Sequence, residues 1–203
     1  MSFYDANILP HLIKFACGLK PIRKQREKVV PLATGRVLEV GVGSGLNMPF
    51  YTPDKVEKVF GLEPNEKARH MAARGIAQSG LDVDFIGLDG QDIPLDDNAV
   101  DTVVLTYTLC TIPDAHKALT EMRRVLKPGG RLLFSEHGKA PDAAVAKWQD
   151  RLNPAWHRAF GGCNLNREIL DLIQQGGFKL VEHDEMYVPG PKFASYTYWG
   201  SAE

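Results

Sequence analysis

The stretch LEVGVGSGLN, Leu38 to Asn47, places Gly41, Gly43 and Gly45 directly after a short apolar run. Glycines at this density let a backbone approach a ligand closely. Their G-x-G-x-G spacing differs from the G-x-G-x-x-G of dinucleotide-binding loops, and no Gly-Lys-Ser/Thr follows as in a P-loop. Glu39 precedes the first glycine by two residues. Its carboxylate would oppose a pyrophosphate and suits a ligand that carries an ammonium and a sulfonium group.

Two more acidic residues end the next two apolar runs. Glu63 comes eighteen residues after Gly45, where a carboxylate can accept hydrogen bonds from both ribose hydroxyls, although NAD enzymes use an acid there too. Asp89 can accept from an exocyclic adenine amine, and the N–H of Gly90 can donate to the ring. An Asp-Gly pair is also common in turns. Three acids at three successive strand ends favour the binding interpretation.

These residues need strands that bring them to one edge of a sheet. Short apolar runs predict strands at residues 36–40, 56–63, 83–89, 100–107 and 131–136. Helical spacing predicts helices between them, one ending at Gly80 and one beginning after Asp114 and ending at KPGG. Alternating strands and helices indicate a parallel α/β sheet, which binds ligands at the carboxyl ends of its strands. The glycine loop is expected to connect a strand to a helix.

Composition narrows the class of protein. The 203 residues carry 24 basic and 25 acidic side chains, so the chain as a whole shows no charge signature for nucleic acid. The cysteines, Cys17, Cys110 and Cys163, have no C-x-x-C spacing. They predict no disulfide framework and no metal site, and they favour a reducing, cytoplasmic compartment.

The N-terminal region, residues 1 to about 34, is predicted to be a helical extension. Residues 8–19 are apolar but too short to span a membrane, and they predict an amphipathic helix. The basic run at residues 20–28 follows. It is typical of a solvated helix face, and weak peripheral contact with a membrane surface is the alternative.

Over residues 35–136 the chain resembles the class I S-adenosylmethionine-dependent methyltransferases, in LEVGVGSG, Glu63, LDGQDIPLDDNAVDTVV and RVLKPGG. It is further similar to the methyltransferase-like thiol S-methyltransferases of vertebrates and their bacterial relatives, in NMPFY, LTYTLCTI, SEHG and LNPAWHRAFGGCNLNRE. The resemblance implies one Rossmann-like domain over residues 1–203. Its α/β fold would be a doubly wound, mostly parallel seven-stranded sheet with an antiparallel last strand formed by ASYTYWGS.

The resemblance also implies the cofactor, S-adenosylmethionine, and the product S-adenosylhomocysteine. Glu39 and the three loop glycines would hold the methionine part. Glu63 would hold the ribose, and Asp89 with Gly90 the adenine. Thr106 would offer its backbone carbonyl to the methionine amine.

The methyl acceptor is expected to be a small molecule bound near a lid segment at about residues 138–168. Trp156, Phe160, Cys163 and Asn164 are the candidates for contacting it. The two aromatic residues share a helical face, which is also typical of core packing. Cys163 is interpreted as a pocket or packing residue, because methyl transfer needs no cysteine intermediate.

A small apolar thiol is the acceptor that the closer resemblance implies. A thiol with a pKa of about 8.5 is mostly protonated at neutral pH, so a base would assist. His137 and His157 are the candidates for that base. Carbon, oxygen or nitrogen acceptors of the quinone or phospholipid type remain the first alternative. An NAD-dependent oxidoreductase and a nucleoside-binding module without turnover are the others.

Overall fold

The protein is described here by a computed structural model that covers residues 3–87 and 89–203. Seven strands form one sheet in the order β3-β2-β1-β4-β5-β7-β6. Among the described strands, β7 pairs antiparallel with both β5 and β6, and the other pairs are parallel. The strands are β1 (Gly35–Val40), β2 (Val56–Leu62), β3 (Val83–Gly87), β4 (Val100–Thr106), β5 (Leu126–His137), β6 (Leu180–Tyr187) and β7 (Tyr196–Ala202). The fold class predicted from sequence is therefore confirmed.

Seven α-helices surround this sheet in the described part of the chain. They are α1 (Phe3–Asn7), α2 (Leu9–Cys17), α3 (Lys20–Val29), α4 (Glu66–Ser79), α5 (Ala115–Val125), α6 (Ala143–Ala159) and α7 (Ile169–Gln175). The helix signals predicted at Asp114 and Gly80 are confirmed, whereas α5 ends at Val125, before KPGG. Asp114 accepts a hydrogen bond from the N–H of Lys117 at the start of α5. Gly80 ends α4 in a left-handed conformation.

The core lies on both faces of the sheet. One cluster packs β1, β4 and β5 against α5 and α7, with Leu119, Met122 and Ile173 fully buried. The other packs the opposite face against α3 and α4, through Val29 and Ala72. Because both faces are covered, the strands read as continuous apolar runs, as in doubly wound sheets.

The sequence prediction is wrong at three places. No α-helix follows the glycine loop; the chain forms only short 3₁₀ turns at Met48–Phe50 and Pro53–Lys55. Pro49 and Pro53 explain this, because proline lacks an N–H and disfavours helical geometry in the residue before it. The last central strand, β5, starts at Leu126 rather than residue 131, so KPGG belongs to the strand. The predicted strand at 83–89 ends at Gly87, and Leu88 lies outside the described residues.

The N-terminal helices pack over one edge of the sheet. The hydroxyl of Tyr4 donates to the carbonyl of Ala159 at the end of α6, with a distance of 2.7 Å. The amphipathic helix predicted at residues 8–19 is α2, which buries Leu9 and leaves Phe15 exposed. Within the described residues no helix is both long and apolar enough to cross a membrane.

Candidate active site

A cavity of about 730 Å³ opens at the carboxyl ends of β1, β2 and β4. Its walls come from the glycine loop, the ends of β2 and β4, the N-terminal helices and the end of α6. Seven of the residues singled out from sequence line it: Gly41, Gly43, Glu63, Asp89, Gly90, Thr106 and His157. A volume in the range of about 300–1,000 Å³ is typical of small-molecule sites.

The glycine loop keeps its shape because side chains do not fit at two positions. Gly41 has φ +78°, and a Cβ there would lie 2.3 Å from the hydroxyl oxygen of Thr108. Gly45 has φ +76°, and a Cβ there would lie 3.1 Å from the Cβ of Ala72 in α4. Gly41 lines the cavity, whereas Gly45 brings the loop against α4 and is not part of the wall.

Glu63 joins the glycine loop to the start of α4. Its Oε2 accepts a hydrogen bond of 2.7 Å from the N–H of Gly43, and its Oε1 accepts one of 2.9 Å from the N–H of Asn65. Burial raises the pKa of this carboxyl, against the lowering effect of the two backbone bonds. A carboxylate offers about four acceptor sites, so both oxygens retain capacity for ligand hydroxyls.

Asp89 and Gly90 form the opposite rim of the cavity. Asp89 is exposed, and its Oδ1 accepts from the N–H of Gln91 at 2.9 Å. This is the turn that the Asp-Gly alternative predicted. The same turn buries Gly90 against Val40, where a Cβ would come within 3.1 Å of Cγ1. The turn therefore presents the Asp89 carboxylate and the Gly90 backbone to the cavity.

Glu39 lies behind the cavity rather than on its wall. Its two carboxylate oxygens accept hydrogen bonds from Tyr51 Oη (2.6 Å) and Asn47 Nδ2 (3.0 Å). The side chain is 1% exposed, and this burial raises its pKa to about 7. Contact of Glu39 with the methionine part of a ligand stays a prediction; in the structure its carboxylate orients Asn47 behind the glycine loop.

Arg26 is a charged cavity residue that the sequence analysis missed. Its Nη1 donates to Asn47 Oδ1 (2.8 Å) and to Thr106 Oγ1 (2.5 Å), and its guanidinium lies 5.2 Å from the ring centre of Tyr107. The basic run of α3 was interpreted as a solvated face. The signal that could have found Arg26 is its spacing of three residues before buried Val29, which puts both on one side of the helix.

The two candidate bases occupy different places. His157 lines the cavity near the end of α6. His137 is not among the lining residues; its Nε2 lies 3.1 Å from Sγ of Cys163, and its ring stacks on Tyr107. Cys17, from α2, is a further lining residue, and burial raises the pKa of its thiol to about 11.

The four acceptor candidates lie together but behind the wall. Trp156 stacks on Phe160 with 4.0 Å between ring centres, and its Nε1 donates to Sγ of Cys163 at 3.3 Å. Asn164 Nδ2 donates to the carbonyl of Cys110 at 2.9 Å. The wall itself is formed by residues such as His157 and the neighbouring glycines, so these four residues support it rather than line it.

Cys110 packs against the same group of side chains. A hydrogen bond from Cys163 lowers the pKa of the Cys110 thiol well below its ordinary value, and nearby His137 acts in the same direction against the effect of burial. Cys110 is 2% exposed and follows β4. It was not a candidate in the sequence analysis because the cysteines are far apart in the chain and lack C-x-x-C spacing.

The charges of the cavity are arranged in two parts. Carboxylates stand at the ends of β2 and β3, and the guanidinium of Arg26 stands at the end of β4 beside Thr106. A ligand with sugar hydroxyls at one end and a carboxylate at the other matches this arrangement. Both described hydrogen bonds of Arg26 use Nη1, which leaves Nη2 for such a carboxylate.

Comparison with known proteins agrees with this geometry. Residues 38–134 match a family model described as a methyltransferase domain. Thiol S-methyltransferase TMT1A of Homo sapiens is 34% identical over 157 residues, 75% of this chain and 64% of that protein. Thiol S-methyltransferase TMT1B of Rattus norvegicus is 37% identical over 150 residues, 72% of this chain and 61% of that protein. The chain thus spans less than two thirds of these relatives.

A solved structure extends the likeness over the whole fold. A protein of Thermotoga maritima, described as an S-adenosylmethionine-dependent methyltransferase and possible histamine N-methyltransferase, superposes with a TM-score of 0.66. The match covers 98% of both chains at 19% identity. At this identity the likeness concerns the fold alone.

Proposed function

We propose that this chain, which belongs to the class I S-adenosylmethionine-dependent methyltransferases, transfers a methyl group from S-adenosylmethionine to a small apolar thiol. The observation that carries the proposal is the cavity that gathers Gly43, Glu63, Asp89 and Thr106 at one sheet edge. The identity of 34–37% to thiol S-methyltransferases supports the choice of acceptor.

The residues of the cavity fit this cofactor. Glu63 would accept from the ribose hydroxyls, and Asp89 with the Gly90 N–H would hold the adenine. The glycine loop and the carbonyl of Thr106 would face the methionine part, whose carboxylate would pair with Arg26. When bound, S-adenosylmethionine supplies a methyl group on a positively charged sulfur, and S-adenosylhomocysteine is what remains after transfer.

The chain would position the acceptor, keep water out of the site and supply a base. The N-terminal helices and the end of α6 border the cavity; around bound cofactor and acceptor they would exclude water and hold the acceptor in line with the methyl group. The thiolate is the reactive form of a thiol. His157 lies on the cavity wall, so it would take the thiol proton.

A screen for methyl transfer tests the reaction. The purified chain is incubated with S-adenosylmethionine carrying a labelled methyl group and with thiols, amines, phenols and quinols. Label is expected in small apolar thiols. Transfer to an amine or a quinol but to no thiol would remove the thiol acceptor and leave a methyltransferase of the phospholipid or quinone type.

A binding comparison tests the cofactor. Calorimetry should show S-adenosylmethionine and S-adenosylhomocysteine binding while NAD binds far more weakly. Comparable binding of NAD would favour an oxidoreductase. Binding of S-adenosylmethionine with no transfer to any acceptor class would favour a nucleoside-binding module.

The pH dependence of His157→Asn tests the base. With thiol below saturation, the variant should be slowest relative to the parent near neutral pH, and its deficit should shrink at high pH, where solvent deprotonates the thiol. His116→Asn, on α5, is the control. An equal loss at every pH would mean that His157 positions the acceptor instead.

Four finer features complete the proposal. The acceptor is a small molecule rather than nucleic acid, as the net charge of −1 suggests. Free thiols at all three cysteines suit the cytoplasm. Residues 1–203 act as one domain, with an N-terminal extension over residues 1–34 and a lid at about 138–168. The exposed apolar side chains of α2 beside basic α3 would allow only weak membrane contact.

A further inference from the structure

Two cysteines and a histidine meet behind the cavity wall. Cys110 follows β4, His137 ends β5 and Cys163 follows α6. Nε2 of His137 lies 3.1 Å from Sγ of Cys163, and this sulfur lies 3.6 Å from Sγ of Cys110. All three donor atoms lie within 4.8 Å of one another. Two thiol sulfurs and one imidazole nitrogen, from three separate segments, therefore lie close enough together to bind one metal ion.

Neighbouring groups position the two cysteines. Nε1 of Trp156 donates to Sγ of Cys163 at 3.3 Å. The backbone N–H and the Nδ2 of Asn164 both donate to the carbonyl of Cys110, each at 2.9 Å. Hydrogen bonds around the ligating residues orient metal ligands in proteins; Nδ1 of His137 is buried without a hydrogen-bond partner among the described residues.

The proposed methyl transfer does not account for this cluster. None of the three residues is among those lining the cavity, and direct transfer to an external acceptor forms no bond to a cysteine. Apolar side chains would fill the same volume without facing two thiols towards an imidazole. The cluster therefore calls for a separate explanation.

We propose that Cys110, His137 and Cys163 bind a soft divalent metal ion, of which Zn²⁺ is the type. Thiolate sulfur and imidazole nitrogen are preferred zinc ligands. With tetrahedral zinc at its usual bond lengths, neighbouring ligand atoms stand roughly 3.5–3.8 Å apart. The sulfur–sulfur distance of 3.6 Å fits this spacing. The nitrogen–sulfur distance of 3.1 Å needs to widen by about 0.4 Å.

Charge and position also favour a metal ion here. Two thiolates balance the charge of a divalent ion, so the centre is easier to bury than the separate charges. Three protein ligands leave a fourth position for water or a small ligand. Thr111 and Gly162, which line the cavity, are the sequence neighbours of Cys110 and Cys163. A bound ion would therefore fix the cavity wall by joining the loop after β4 to the segment after α6.

Metal binding to the intact chain tests the proposal without any measurement of activity. The protein is purified under reducing conditions, stripped with a chelator and titrated with Zn²⁺ and, separately, with Co²⁺. We expect about one equivalent of each ion per chain. Co²⁺ should give a thiolate-to-cobalt charge-transfer band, and Zn²⁺ should raise the melting temperature of the stripped protein.

Single substitutions identify the ligands. Cys110→Ser, Cys163→Ser and His137→Gln should each weaken Co²⁺ binding at least tenfold, and the two serine variants should also lose intensity in the charge-transfer band. Cys17→Ser is the matched control, because it removes the one cysteine outside the cluster, and it should bind Co²⁺ like the parent. Circular dichroism checks that each variant is folded.

Two results would overturn the proposal. One is a folded, reduced parent that binds no Zn²⁺ and gives no charge-transfer band with Co²⁺. The other is a stoichiometric disulfide between Cys110 and Cys163 in protein purified without reductant, found by mass spectrometry, together with equal Co²⁺ binding by the parent and the three variants. Because these measurements need no methyl transfer, they stand apart from the test of the proposed reaction.

Discussion

At the scale of single residues, Glu63 has two tasks that can be separated. It binds the backbone of Gly43 and Asn65, and it is proposed to bind the ribose. Loss of the first affects folding of the loop, whereas loss of the second affects only the ligand. The distinction makes Glu63 the most direct test of the cofactor assignment.

Glu63→Ala should weaken S-adenosylmethionine binding by about 1.5–3 kcal/mol, because a charge-assisted contact with two hydroxyls is lost. Calorimetry measures the affinity, and thermal unfolding measures the cost to the fold. Glu57→Ala, an exposed glutamate on β2, is the control and should bind like the parent. Unchanged affinity in Glu63→Ala would refute the ribose role.

Glu39 is a buried carboxyl whose protonation is linked to stability. Burial raises its pKa to about 7, while Tyr51, Asn47 and Arg26 oppose the rise. The native chain therefore holds this proton more tightly than the unfolded chain does. The resulting stabilisation is complete below the ordinary glutamate pKa and is lost as the pH rises through about 7.

Glu39→Gln should remove this pH dependence. Relative to the parent, the variant should gain free energy of unfolding between about pH 5 and pH 8, with a slope of up to about 1.4 kcal/mol per pH unit. Urea unfolding at several pH values measures it. Glu57→Gln controls for the loss of a carboxylate at the surface, and parallel curves for parent and Glu39→Gln would contradict the burial argument.

At the scale of elements, the glycine loop depends on α4 as much as on β1. The loop continues into 3₁₀ turns rather than a helix, so its packing partner is Ala72 in the middle of α4. The end of β4 depends in the same way on α3, because Arg26 in α3 donates hydrogen bonds to Asn47 and Thr106.

Gly45→Ala should therefore destabilise the protein more than Gly80→Ala. Both positions have positive φ, which costs an alanine roughly 1–2 kcal/mol. Nothing lies within 4 Å of a Cβ at Gly80, whereas a Cβ at Gly45 meets Ala72 at 3.1 Å. We expect an additional loss of roughly 1–3 kcal/mol at Gly45 in urea unfolding. Equal losses would show that the loop moves away from α4 at little cost.

At the scale of the whole molecule, segments far apart in sequence border the cavity. α1 and α2 border it together with the end of α6, and the Tyr4 hydroxyl joins α1 to the end of α6 across 155 residues. We expect this cover to slow ligand exchange. Its contacts should therefore control how fast the cofactor leaves.

Tyr4→Phe should speed dissociation of S-adenosylmethionine by about two- to tenfold, as expected for a lost neutral hydrogen bond. Stopped-flow displacement by S-adenosylhomocysteine measures the rate. Tyr187→Phe is the matched control, because its hydroxyl bonds Asp142 before α6, away from the cavity. Identical rates in the parent and Tyr4→Phe would show that the helices do not gate the site.

The sequence by itself determined five strands of the sheet, the glycine loop, and the positions of Glu63, Asp89 and Asp114. These rest on local patterns, because strand periodicity, helix caps and turn residues act over a few positions. The seven-stranded sheet with its antiparallel last strand followed from the family resemblance. The absence of a helix after Gly45 could also have been predicted from local sequence, because Pro49 and Pro53 follow it.

Only the tertiary structure decided which polar side chains meet. In the structure Glu39 lies behind the cavity and Arg26 lines it. His157 also lines the cavity, whereas His137 lies beside Cys163. The fold also placed Cys110 beside Cys163, 53 residues away. Contacts of this kind depend on how helices and loops pack across a sheet edge. Spacing within one helix, as for Arg26 and Val29, shows which side chains share a face but not which residues of other elements they meet.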